Sequence, residues 1–204
     1  MQGVLKRTLT LSAPAPTVSI TLTGSGIVYK DVTTALAFAG TIASGTVTAA
    51  GHDITTGKLV AVFWTDANGV SRRRYGITAG TVSGNAIPVG SGGGSGDALP
   101  STGAVTICAA TILTGSTTPA IPALTGSQML QFLVQCSQWG ALDFFSDAGT
   151  TNILHVDATA AGEGTDWSQN DPAARPFSAA LAQINAYNAS AKTAATWSIR
   201  ALLV

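Results

Sequence analysis

Lys58-Leu59-Val60-Ala61-Val62-Phe63-Trp64-Thr65, then Asp66-Ala67-Asn68-Gly69, then Val70-Ser71-Arg72-Arg73-Arg74-Tyr75-Gly76-Ile77 is the stretch that decides the fold. The first run consists almost wholly of aliphatic, β-branched and aromatic residues, which suit a pleated surface. The middle four residues form a turn, in which Asn-Gly supplies the positive φ angles that tight hairpins need. The last run returns as a strand. Side chains alternate across a strand, so Leu59, Ala61 and Phe63 share one face while Val60, Val62 and Trp64 share the other. Both faces are apolar. The outgoing strand is therefore expected to be covered twice, by a core and by a neighbouring layer or partner.

Working outward from this hairpin, a period of two recurs along the chain. Residues 4–11 read as a strand stopped by Pro14 and Pro16, and Val18, Ile20 and Leu22 share a face in the next run. Residues 27–30 follow a Gly-Ser-Gly turn. The interval 31–50 is ambiguous: Val32, Ala35, Leu36 and Ala39 fit a short helix, while Thr33, Thr34 and Thr41 favour extended chain. Residues 82–89 resemble a second, smaller hairpin, and 90–96 (Gly-Ser-Gly-Gly-Gly-Ser-Gly) is linker-grade in composition. Further strands are expected at 104–112, 129–136, 141–146, 152–156, 181–188 and 193–204. The interval 157–178 reads as the longest irregular loop, of a length that is usually functional or pinned by a partner. Short strands separated by turn residues mean a sandwich or a barrel. The expected fold is all-β: a small barrel-like N-terminal domain over 1–112, carrying the Gly/Ser loop 90–96, followed by a jelly-roll-like β-sandwich over 113–204. The strand at 104–112 fits either half.

Composition narrows the function classes. The chain has 204 residues, no net charge, a pI near 6.7 and only 10% charged residues, where soluble domains average about 25%. Such a chain has no global field to draw it to nucleic acid or anionic lipid, and it lacks the high charge of disordered proteins. There are 34 Ala, 28 Thr and 23 Gly, but one Glu (Glu163) and four Lys. Helix surfaces are normally built from Glu, Lys, Arg and Gln, so few solvent-facing helices are possible. No run approaches the roughly 18 apolar residues of a membrane span. The first residues lack the apolar core of a signal peptide, so synthesis in a cytoplasm is expected, and Cys108 and Cys136 read as buried, reduced thiols.

Candidate chemistry is sparse. The glycines at 90–96 lead to Asp97 rather than the Lys of a phosphate loop. His52 and His155 are the only histidines, and no G-x-S-x-G elbow accompanies them. Two His and two Cys, all separated, give no zinc spacing. Asp166 and Asp171, with Glu163 and Asn170, could offer oxygens to Ca²⁺, but their spacing is not that of an EF-hand; a solvated or subunit-facing loop is the simpler reading. Arg72, Arg73 and Arg74 form the sole charge cluster, expected to pair with Asp across the hairpin or a subunit contact. Trp139 and Trp167 fall in turn and loop contexts that suit a protein interface, a sugar platform or a lid over the core. Asn188-Ala189-Ser190 matches a glycosylation sequon without a secretory context. No enzyme activity, cofactor or metal is expected.

In its Thr17 to Thr23 run, its 58–77 hairpin, its 90–96 loop and its closing strand from Trp197 to Val204, the chain resembles bacteriophage virion proteins: head decoration (cement), tail-tube and fibre components. The resemblance lies in whole-chain style and covers no diagnostic motif. It implies a structural subunit located in the virion, with itself and other virion proteins as partners and no direct contact with nucleic acid or membrane. A host-surface glycan would be a partner if the subunit stands at a tip. The alternative is a carbohydrate-binding or adhesin-like β module using Trp139 and Trp167.

Overall fold

The computed structural model describes residues 8–9, 20–21, 26–114, 129–145, 149–150, 152–158, 164–168 and 183–203. Every regular element among them is a strand: Thr8–Leu9 (β1), Ile20–Thr21 (β2), Gly26–Thr33 (β3), Phe38–Ala43 (β4), Thr46–Ala49 (β5), Leu59–Thr65 (β6), Ser71–Thr78 (β7), Ala86–Pro88 (β8), Ser95–Gly96 (β9), Thr102–Ala109 (β10), Thr111–Thr114 (β11), Met129–Cys136 (β12), Gly140–Phe145 (β13), Asn152–Ala158 (β14), Gly164–Ser168 (β15), Gln183–Asn188 (β16) and Thr196–Leu203 (β17). The fold is all-β, and no helix among the described residues is long and apolar enough to cross a membrane. The ambiguity at 31–50 resolves to extended chain. Ser44 and Gly45 take φ angles of 49° and 75°, making a two-residue turn between β4 and β5. Of the strands expected at 4–11 and 17–23, only the pairing of β1 with β2 lies within the described residues.

Seven strands form one antiparallel sheet in the order β8-β5-β4-β10-β6-β7-β9. It curls around a core of Ile42, Val47, Val60, Val62, Ile77, Ile87, Val105 and Ile107. Beyond the end of β7, the Gly80 N–H donates to the Pro88 carbonyl of β8 at 2.8 Å, so the sheet's two ends approach each other. The decisive hairpin is present. Its loop is wider than a two-residue turn: the Asp66 N–H donates to Val70 O, and Asp66 Oδ1 accepts the N–H groups of Asn68 and Val70. On β7, strict alternation would place Ile77 on the face of Arg73 and Tyr75. The register instead slips, with Val60 opposite Ile77 and Val62 opposite Arg74. This leaves Tyr75 and Gly76 together opposite Ala61, a β-bulge that needs the 67° φ of Gly76. The bulge turns Ile77 into the core and leaves Arg73 and Tyr75 on the outer face.

Two four-stranded sheets complete the molecule, in the orders β11-β16-β13-β14 and β15-β12-β17-β3. The run expected as one strand at 104–112 serves both halves: β10 pairs with β4 and β6, and β11 pairs with β16. The change of sheet comes at Ala110, whose N–H still donates to Leu59 O. Strand β3, from the N-terminal part of the chain, pairs along β17 from Gly26 opposite Leu203 to Thr33 opposite Thr196.

Two stretches expected to be irregular are not. Within 157–178, β15 pairs with β12 from Gln135 opposite Gly164 to Gln131 opposite Ser168. The glycine stretch 90–96 is no linker but a strap seated on β7, with Ser95 opposite Tyr75, Gly96 opposite Arg74, and Thr78 N–H donating to Gly92 O. Its composition follows from close approach: a Cβ at Gly92 would sit 2.1 Å from Thr78 O and 2.6 Å from Ile77 Cγ2. Gly92→Ala is therefore expected to cost about 2–3 kcal/mol as an overpacked contact. Gly93→Ala, where open space surrounds the Cβ and only the backbone conformation resists, should cost about 1 kcal/mol. Urea denaturation of the two variants measures the difference; equal losses would show that the strap does not rest on β7.

Candidate functional site

Strand alternation builds two facing surfaces. On the curled sheet, the outer face of β6, β7 and β10 presents Ala61, Phe63, Arg73, Tyr75 and Cys108. On the sheet opposite, Asp143 of β13 pairs with His155 of β14 and Asn185 of β16, and Ala141 pairs with Asp157 and Tyr187, so all six share one face. Ala61, Phe63, Cys108, Ala141, Tyr187 and Ala189 merge into one buried cluster, with Tyr75 and Trp139 packed against it. The second cover expected for β6 is thus supplied within the chain. Trp139 meets Phe63 edge to face at 5.5 Å.

At the margin of this apolar contact lies a cluster of four charged groups. The His155 ring N–H at Nδ1 donates to Asp143 Oδ1 at 2.7 Å, and the Asn152 amide donates to the same oxygen at 2.7 Å. On the other side of the ring, Nε2 lies 3.0 Å from Asp157 Oδ1. That contact is an ion pair without hydrogen-bond direction. Arg73 reaches across from β7 to bond Asp157. The Tyr75 ring stacks on the imidazole at 3.9 Å and 8°. Asp143 is only 2% exposed, so its charge must be met inside the protein. Two carboxylates face one guanidinium and one imidazole, and the cluster is neutral when His155 is protonated.

The electrostatics follow from these contacts. Burial pulls the His155 pKa down, but the hydrogen bonds and charges of Asp143 and Asp157 outweigh it and lift the value to about 9. For Asp157 burial acts upward, and His155 and Arg73 more than offset it, so its carboxyl lies below the usual range. Burial, with the charges of Asp143 and Asp157, pushes Tyr75 up to about 12. The Tyr187 phenol is raised as well, chiefly by burial. A histidine held as a cation is a poor base at neutral pH. Among the described residues no group of three His, Cys, Asp or Glu side chains could hold a metal ion. What the arrangement does chemically is join two sheets.

The sequence-derived candidates separate. Arg72 donates to Asp66 at 3.0 Å and to Asp97 at 3.2 Å, the first being a pair across the hairpin as expected. Val70 N–H and Arg72 together hold the Asp66 carboxyl below its ordinary pKa. Arg73 joins the inter-sheet cluster. Arg74 donates to the carbonyls of Gly93, Gly94 and Asp97, fastening the glycine strap. Trp139 turns its ring inward on Phe63. Asp166 and Trp167 lie on β15, opposite Leu133 and Phe132; Asp171 is outside the described residues. The cluster of Asp143, His155 and Asp157 was not assembled by sequence reasoning, although a carboxylate inside the apolar run Ala141-Leu142-Asp143-Phe144-Phe145 signals a buried partner. Asn188 is fully buried and its amide donates to the carbonyls of Ala35, Ser190 and Thr193, so the sequon is not an accessible acceptor.

Cys108 and Cys136 are free and buried, and burial pushes their thiols up to about 12 and about 11. Comparison with protein-family models, curated proteins and solved structures gives no match.

Arg73→Met should destabilise by about 2–3 kcal/mol, because it strips a partly buried carboxylate of a partner. Arg72→Met, whose pairs are more exposed, should cost under about 1 kcal/mol. Denaturant midpoints for the two variants test the ranking. Both thiols should also resist alkylation in the native protein and react on unfolding, with mass spectrometry reading the label.

Proposed function

We propose that this chain is a non-enzymatic structural subunit of a bacteriophage virion, of the head-decoration or tail type, assembling with copies of itself and with other virion proteins. The observation that carries the reading is where the charge goes. Asp66, Asp97, Asp143 and Asp157 are engaged by Arg72, Arg73 and His155 within the subunit. The charged residues exposed among the described side chains are Asp53, Lys58 and Lys192. What faces outward instead is Thr, Ala, Ser and Gly. On the outer side of β5, β4 and β10 the exposed residues are Thr48, Ala39, Thr41, Ala43, Thr102 and Ala104, with Thr41 flanked by Thr48 and Ala104.

A surface of this kind suits permanent burial against other protein. Covering Thr and Ala avoids the several-kcal/mol desolvation penalty of burying ions. A stable interface covers on the order of 1,600 Å² in total. Attraction through such surfaces is apolar and hydrogen-bonded, and salt screens it little. Light scattering coupled to size exclusion, with electron microscopy of the purified protein, is expected to show oligomers or tubes, or binding to phage shells or tails. The assemblies should persist from low salt to about 1 M, where the screening length falls to about 3 Å. A monomer at every concentration with no affinity for itself or for such particles overturns the reading. Complete release by salt would show ionic contacts and overturn its uncharged-surface basis.

A further inference from the structure

The cluster between the sheets has a property that a plain structural contact does not need: its charge balance hangs on one proton. Arg73 and protonated His155 meet Asp143 and Asp157, and the sum is zero. Removing the His155 proton leaves two carboxylates against one guanidinium. Asp143, being 2% exposed, cannot turn to water for compensation. The groups facing the imidazole are Asp143 from β13, Asp157 from its own strand, and Arg73 and Tyr75 from β7. Tyr187 of β16 stands next to Tyr75, with ring centroids 6.4 Å apart. Beside them, β10 leaves the curled sheet and β11 joins the other with Ala110 alone between them, so a change at the cluster can alter how the sheets meet without separating them.

We propose that Asp143, His155, Asp157 and Arg73 form a proton-operated latch between the curled sheet and the β11-β16-β13-β14 sheet, closed while His155 is protonated and loosened when its proton leaves. The direction follows from linkage. A histidine pKa raised in the folded state stabilises the closed form fully below its free value of 6.5, and the effect is lost as pH rises through about 9. For Asp157, whose pKa is lowered, the contribution is present above 3.8 and disappears as pH falls through the folded value. The latch is therefore closed across the neutral range and gives way on the alkaline side. Tyr75, up at about 12, titrates later and does not confuse the transition.

The test is a pH titration of the whole protein between about pH 6 and 10, spanning free histidine and the raised value. Ring NMR follows His155, distinguished from His52 by the His155→Gln variant. Tryptophan emission, which senses Trp139 against Phe63, and the small-angle scattering radius follow the sheet contact. The expected result is a His155 midpoint near 9, with emission and radius changing at the same midpoint while far-UV circular dichroism stays constant. His155→Gln should lack the transition. Asp157→Asn, which keeps the histidine, should lower the midpoint by about one unit, a tenfold easier proton loss; it decides the matter if His155→Gln fails to fold. A His155 midpoint near 6.5 would overturn the proposal. So would a flat emission and radius across its titration, or an unchanged midpoint in Asp157→Asn.

Discussion

Strand β6 is apolar on both faces, and water must be kept from both. The inward set, Val60, Val62 and Trp64, is closed over by the curled sheet itself. The outward set, Ala61 and Phe63, has no such cover within that sheet and is met by Ala141, Tyr187 and Trp139 from the sequence's second half. A side chain such as Phe63, fully buried, contributes roughly 1.5–3 kcal/mol relative to exposure. The need to cover this one strand twice explains why the two halves of the chain are packed together at all.

The polar groups at the same contact decide how they pack. Apolar surfaces are tolerant of sliding, whereas a buried carboxylate is not: Asp143 demands the His155 N–H and the Asn152 amide at fixed distances. Arg73 and Tyr75 can reach this cluster only because the bulge at Gly76 absorbs one residue of β7. Without it, the alternation that serves Arg73 and Tyr75 would expel Ile77 from the core. One glycine thus reconciles a core on one side of the strand with an ionic contact on the other. The 90–96 strap obeys a related rule, since its glycines admit a backbone that any Cβ at Gly92 would hold off.

Much of this was legible in the chain order. The all-β class, the 58–77 hairpin, the buried thiols and most strands of the second half follow from alternation and turn chemistry, which are local. The Ser44-Gly45 turn was visible in composition but masked by the alanines of 31–50, which suit a helix as well as a packed strand. Strand β15 was missed because its short Gly-Thr-Asp-Trp-Ser run carries no apolar alternation and owes its place to pairing with β12. The candidate site was less legible still. Arg72 to Arg74 stood out as a run, yet nothing in the run says that its three side chains go to three different places.

What the sequence determined by itself is everything set by neighbours along the chain: the period of two, the turns, the near absence of surface charge, and the double apolar face of β6. What only the tertiary structure decided is everything set by neighbours across it. The transfer of the strand from one sheet to the other at Ala110, the pairing of β3 with β17, and the meeting of Asp143, His155 and Asp157 with Arg73 all join residues far apart in sequence. The physical reason is that hydrogen-bonded pairing and charge compensation are satisfied by whichever groups the fold brings within about 3 Å, and alternation specifies which face a side chain occupies but not what will stand opposite it.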